Sequence, residues 1–176
     1  MIKKISKNHF KEQLKHVLVE GIVPEIAKDD IHEFYLEGNY FYKITDKYIN
    51  NIHDWLNNYF QLNIPLNSAV TAFRKDLSYL NFFEPHKNSY HFLRLDIKSF
   101  FHSISIEDIK IIFLNYFEND YIDENKKQLL IDSFINIISY RIPSKSNNEF
   151  FRNKLILPIG FKTSPIISNI IFRKLD

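Results

Sequence analysis

The stretch that decides the fold is Leu93-Arg94-Leu95-Asp96-Ile97-Lys98-Ser99-Phe100-Phe101-His102-Ser103-Ile104. Residues Tyr90 to Ile97 read as a strand, with apolar side chains at Phe92, Leu93, Leu95 and Ile97. The strand delivers Asp96 near its end. A carboxylate buried alone there is costly, so a cation partner such as a metal ion is expected. Phe100 and Phe101 would then wall a pocket. The same residues also suit a strand-end aspartate that caps a turn, with both rings in the core. His102, beside the pair, reads as a solvent-facing loop residue.

Downstream, Ser105-Ile106-Glu107-Asp108 is a capping-box-like helix start. The helix it opens carries Ile109, Ile112, Phe113 and Tyr116 on one face. A further helix is predicted from Asp123 to Ser139, with Leu130, Phe134, Ile137 and Ile138 inward. After a polar loop from Ser144 to Asn148, a short strand spans Lys154 to Leu157. It leads into Leu157-Pro158-Ile159-Gly160-Phe161-Lys162-Thr163-Ser164-Pro165-Ile166-Ile167-Ser168-Asn169. Gly160 permits close backbone approach to a ligand. Ser164 suits an N-cap and Pro165 a first helical position, and the resulting helix N-terminus favours a phosphate. The helix is expected to run from Pro165 to Asp176. Taken alone, this window is also an ordinary strand–loop–helix connection.

Upstream, Phe10, Leu14, Val17 and Leu18 recur at helical spacing until Gly21 and Pro24. A tyrosine-rich patch follows at Tyr35, Tyr40, Phe41 and Tyr42. Thr45 is expected to cap a helix whose apolar stripe, Tyr48, Ile52, Trp55, Leu56 and Tyr59, packs in the core. Pro65 opens an irregular segment that runs through Phe73-Arg74-Lys75 to Pro85. Helices and strands intermingle, which favours an α+β fold.

Composition bounds the function. The chain has 176 residues, 45% hydrophobic and 25% charged, which suits one domain or part of a larger one and excludes a wholly disordered chain. With no cysteine there is no disulfide framework, thiolate zinc site or cysteine nucleophile. Lys and Arg number 23 against 21 acidic residues, a net charge of +2, so any nucleic-acid contact must come from local basic placement. No apolar run approaches the roughly 18–20 residues of a membrane helix. No signal peptide is evident, and the expected location is cytoplasmic.

Together the two windows resemble the reverse transcriptases, specifically the bacterial retron, group II intron and defence-associated branch. The matching residues are Asp96, Phe100, Phe101, Ser103 and Ile104, then Leu157, Pro158, Gly160, Thr163, Ser164, Pro165, Ser168 and Asn169. Phe73-Arg74-Lys75 is similar to the fingers motif of that family. The resemblance covers roughly Pro65 to Asp176. It implies fingers and the first part of a palm over 63–176, while residues 1–62, which carry no diagnostic motif, read from their periodicity as a helical N-terminal region. The expected fold is therefore α+β, reverse-transcriptase-like, with an incomplete palm and a mostly helical N-terminal region.

The resemblance also implies roles. Asp96 would be the catalytic carboxylate and a ligand of two magnesium ions, with the Ile97 carbonyl assisting. The Ser99 and Phe100 amides would lie against the triphosphate. Phe101 would exclude a 2′-hydroxyl, while Phe100 would point into the palm core. Arg74 and Lys75 would neutralise the triphosphate. Ile159 and Gly160 would line the nucleotide and template position. Two positions depart from the family pattern: Ile159 stands where glutamine is usual, and Asp76 where glycine commonly follows Arg-Lys. The first fits the defence-associated branch better than an intron enzyme.

Implied partners are an RNA template or structured non-coding RNA, a DNA or RNA primer, and deoxynucleoside triphosphates, with no membrane. The family's Tyr-x-Asp-Asp hairpin would follow the helix from Pro165. Residues 1–176 are thus expected to be part of a longer polymerase or to be completed by another chain, and to be inactive by themselves. The leading expectation is an RNA-directed DNA polymerase of a retron or antiphage defence system. The alternatives are a defence polymerase that copies no conventional template, and a non-catalytic nucleic-acid-binding module with a degenerate or truncated polymerase fold. Arg74, Lys75, Phe82, Phe83, His86 and Lys87 would serve either the polymerase or the module.

Overall fold

The computed structural model describes residues 26–66, 70–94, 96–116 and 124–172. The helix expected around Phe10 to Leu18 lies outside them. The described chain opens with a 3-10 turn, Lys28–Asp30, and a hairpin of β1 (Ile31–Leu36) and β2 (Asn39–Ile44). Helices α1 (Lys47–Asn63) and α2 (Tyr79–Phe83) follow. Next come the short α3 (Phe100–Ser103), then α4 (Ile106–Tyr116) and α5 (Glu124–Ile138). Strands β3 (Tyr140–Arg141) and β4 (Leu155–Ile156) precede α6 (Ser164–Ile171). The two sheets are two-stranded and antiparallel, β1 with β2 and β3 with β4. The mixed α+β reading holds.

The tyrosine-rich patch is the hairpin. Ile31 pairs with Ile44 and Leu36 with Asn39, so Glu37 and Gly38 form a two-residue turn. Both have positive φ, 48° and 83°, as the hairpin turns that match strand twist require. One face of β2 turns Tyr42 and Ile44 inward. They pack with Ile49, Tyr140, Ile142, Ile156 and Phe161 in a small second core.

The main core lies between α1, α4, α5 and α6. Leu56 and Phe60 of α1 meet Ile109 and Phe113 of α4, Phe134 and Ile138 of α5, and Ile166 and Ile167 of α6. The Phe60 ring stands edge-on to Phe113 at 5.2 Å and to Phe134 at 5.7 Å, geometries that aromatic quadrupoles favour. The helix faces read from periodicity are these faces. Tyr48 and Trp55 sit half-buried at the border of the stripe. The cap of α1 is Asp46 and not Thr45, because the Asp46 carboxylate accepts the Ile49 N–H at 2.7 Å. For α4 the cap is Ser105 as expected, its Oγ accepting the Asp108 N–H at 3.4 Å.

Three sequence expectations change. Tyr90 to Ile97 form no strand among the described residues; Tyr90, Phe92, Leu93 and Ile97 are exposed. A strand needs a neighbour for its N–H and C=O groups, and no described strand runs beside this one. The strand expected over Lys154 to Leu157 is shorter and owes its existence to β3. Helix α6 starts at Ser164, with Thr163 in the cap position, and is described to Ile171; residues 173–176 of the expected helix lie outside the described ones. Ser164 is no cap because its hydroxyl donates to the Pro158 carbonyl at 2.6 Å. Among the described residues no helix is long and apolar enough to cross a membrane.

Candidate nucleotide site

Asp96 and Ile97 are exposed in the structure, so the Asp96 charge carries no burial cost. The chain then turns through Ser99, which is left-handed at φ 52° and ψ 40°, into the single turn of α3. That turn is held by the Ser103 N–H to the Ser99 carbonyl at 2.9 Å and by Ser103 Oγ to the Phe100 carbonyl at 2.8 Å. Phe101 packs against the main core. Phe100 does not point into that core as expected. Its half-buried ring lies 5.1 Å from Phe101 and 5.1 Å from Phe172, just beyond α6.

His102 is buried and not solvent-facing. Its ring lies 4.9 Å from Phe151, edge-on, and 6.0 Å from Tyr42. Among the described residues its Nε2 has no hydrogen-bond partner. Burial lowers its pKa to about 4, so the ring is neutral at pH 7.

The second window meets the same strand. The Tyr42 N–H donates to the Ile159 carbonyl at 2.8 Å. Gly160, at φ +107°, lies so close to Tyr42 that a Cβ would stand 2.7 Å from the Tyr42 carbonyl oxygen. Glycine is required here by the approach of the hairpin backbone, whatever ligand also comes near. Tyr42 is therefore a common abutment: His102 of the first window rests near its ring and Gly160 of the second against its backbone. Burial pushes the Tyr42 hydroxyl up to about 12, and its oxygen accepts from Asn148 Nδ2 at 2.8 Å.

Two further bonds fix the second window. His53, fully buried on α1, donates through Nε2 to the Ile137 carbonyl at 3.1 Å, since a carbonyl only accepts. Its Nδ1 must then accept from the Thr163 hydroxyl at 2.9 Å. Burial lowers the His53 pKa to about 4, which keeps this tautomer neutral. The Asn169 side chain donates to the Ala72 carbonyl at 2.9 Å, tying α6 to the segment with Arg74 and Lys75.

Arg74 and Lys75 line a cleft of about 560 Å³ with Asn58, Gln61 and Asp76. The Lys75 N–H donates to Gln61 Oε1 at 2.8 Å. Asp76 is left-handed at φ 65°, which explains why glycine suits this position and why aspartate, tolerant of that region, can replace it. A second cleft, about 650 Å³, is lined by Lys43, Lys47, Lys162, Asn51 and Gly160. Asp96, Ser99, Phe100 and Phe101 line neither cleft. No three His, Cys, Asp or Glu side chains converge among the described residues. Sequence reasoning passes over Lys43 and His53, takes Tyr42 only as part of the aromatic patch, and places His102 in a solvent-facing loop. His53 alone left a signal, lying at helical spacing between Ile49 and Leu56.

The chain belongs to the reverse transcriptase family. The family model described as reverse transcriptase (RNA-dependent DNA polymerase) matches residues 38–176, from the hairpin turn onward. The chain is also similar to the Retron Ec73 reverse transcriptase of Escherichia coli, with 33% identity over 129 residues. That alignment covers 71% of this chain and 36% of the relative, so the chain spans about a third of the length of the protein it matches.

Proposed function

We propose that this chain carries the nucleotide-holding part of an RNA-directed DNA polymerase of the retron or defence type. The observation that supports the reading best is the meeting of residues 96–104 and 157–169 on Tyr42. In the reaction the primer 3′-hydroxyl attacks the α-phosphorus of a deoxynucleoside triphosphate, and the bond to the β-phosphate breaks to release pyrophosphate. When magnesium is bound, Asp96 would serve as one oxygen donor and the Ile97 carbonyl as another. The described residues do not by themselves fit a two-ion site, because no three His, Cys, Asp or Glu side chains converge among them. The remaining donors come from residues outside the described ones or from another chain.

Other roles follow from the chain's own groups. Left-handed Ser99 followed by a helical turn leaves successive N–H groups pointing one way, an arrangement that suits triphosphate oxygens. Arg74 and Lys75 neutralise that charge. Phe101 lies beneath the sugar, and Ile159 and Gly160 flank the nucleotide and template. The lysines of the second cleft suit phosphates of a template or structured RNA. The protein acts in the cytoplasm.

A second reading, a non-catalytic nucleic-acid-binding module, rests on the basic and aromatic residues of the segment Arg74 to Lys87, where Phe82 and Phe83 are exposed and His86 lies beside Phe82. Primer extension with a complete polymerase carrying these residues separates the two. Asp96→Asn should abolish incorporation with magnesium and leave nucleic-acid binding within about twofold. Wild-type incorporation by that variant rejects the assignment of Asp96. Binding without incorporation by the unmutated protein selects the module.

A further inference from the structure

We infer that His102 is a positioning residue that sets sugar selection by fixing where Phe101 lies. The inference rests on the reading of Phe101 as the sugar gate. Residues 96–98 are exposed, Ser99 is left-handed, and α3 is one turn long. A single turn does not hold itself in water, since helix nucleation is unfavourable. Packing outside the turn fixes it: Phe101 rests half-buried on the main core, Phe100 lies on Phe172, and His102 is buried outright.

Among residues 96–103 the one buried side chain is that of His102. Its ring fills a slot between Phe151 and Tyr42. Tyr42 is itself held to the second window by its N–H bond to Ile159 and by the close approach of Gly160. The ring of His102 thus spaces the turn bearing Phe101 from the loop bearing Gly160. Among the described residues its Nε2 meets no hydrogen-bond partner, and the ring contacts with Phe151 and Tyr42 carry the role. Nothing in this geometry has His102 touching the nucleotide. It acts through its neighbour.

The test uses the complete polymerase and compares kcat/KM for matched deoxy- and ribonucleotides. Phe101→Val is the control for the gate itself. His102→Ala empties the slot and should shrink the deoxy-to-ribo ratio about tenfold, the equivalent of about 1.4 kcal/mol in barrier difference. His102→Phe refills the slot with a ring and should restore the ratio. His102→Leu fills part of it and should fall between; it carries the test if the alanine variant does not fold. Melting midpoints are measured alongside. A lowered midpoint with an unchanged ratio in both the alanine and leucine variants means a merely structural role and overturns the inference. If Phe101→Val leaves the ratio unchanged, the gate reading itself fails, whatever the His102 variants do.

Discussion

Gly160 and Tyr42 touch backbone to backbone, with 2.7 Å between the Tyr42 carbonyl oxygen and the place a Cβ would take at residue 160. Alanine there faces two penalties at once: a φ of +107° that L residues rarely adopt, and a clash with main chain that cannot rotate away. Gly160→Ala should lower the unfolding free energy by on the order of 2–4 kcal/mol, read from the urea midpoint of the 176-residue chain. A midpoint equal to wild type means that the hairpin does not lie against this loop. Because the contact is internal, the loss should appear without any nucleotide present.

The two buried histidines make stability depend on pH with a definite sign. Each has its pKa lowered from 6.5 to about 4 in the folded chain. Between those values the unfolded chain binds protons that the folded chain does not, so stability falls as pH drops from about 6.5 towards 4. Above pH 7 both states are neutral at these positions and the dependence vanishes. The total loss should be a few kcal/mol. Urea midpoints at pH 7.5 and 4.5 measure it, and His53→Asn should flatten part of the slope. An equal slope in that variant would show that His53 does not stay neutral in the fold.

Thr163 belongs to the second motif, yet its hydroxyl is spent on His53. Thr163→Val keeps the shape and removes the donor, leaving Nδ1 of a fully buried ring without a partner. The cost should be about 1–3 kcal/mol, and Thr163→Ser should recover most of it. Equal thermal midpoints for the valine and serine variants would exclude the bond.

The family was legible because its signature residues stand at fixed offsets in two short windows, and the helix faces because periodicity maps directly onto burial. What escaped the sequence depended on partners far along the chain. The burial of His102 is set by Tyr42 and Phe151, about sixty residues before it and fifty after. The two-residue strand at Leu155 exists only because Tyr140 and Arg141 lie beside it. Conversely, Tyr90 to Ile97 has a strand's pattern but no described neighbour to pair with, and the side chains of Tyr90, Phe92, Leu93 and Ile97 stay in water. At Glu37-Gly38 the glycine between two aromatic-rich runs is the residue that marks the hairpin turn.

Phe100 and Phe101 provide the sharpest separation of fold from chemistry. Both rings are half-buried and 5.1 Å apart, but their surroundings differ: Phe101 packs on the main core and Phe100 on Phe172. If Phe101 lies beneath the sugar, its ring excludes a 2′-hydroxyl by volume, a clash and not a missing hydrogen bond. Phe101→Val in the complete polymerase should then admit ribonucleotides while deoxynucleotide use falls less. The same substitution should also cost about 1–2 kcal/mol of stability, since part of the ring packs on the core. Phe100→Ala should cost a similar amount through the lost contact with Phe172 and leave sugar choice unchanged. The measurement is incorporation efficiency for matched ribo- and deoxynucleotides in both variants, beside their thermal midpoints. Relaxed sugar choice in Phe100→Ala alone would move the gate by one residue. Unchanged choice in both variants, with the stability losses present, would leave the pair as packing residues and remove the sugar contact from this turn.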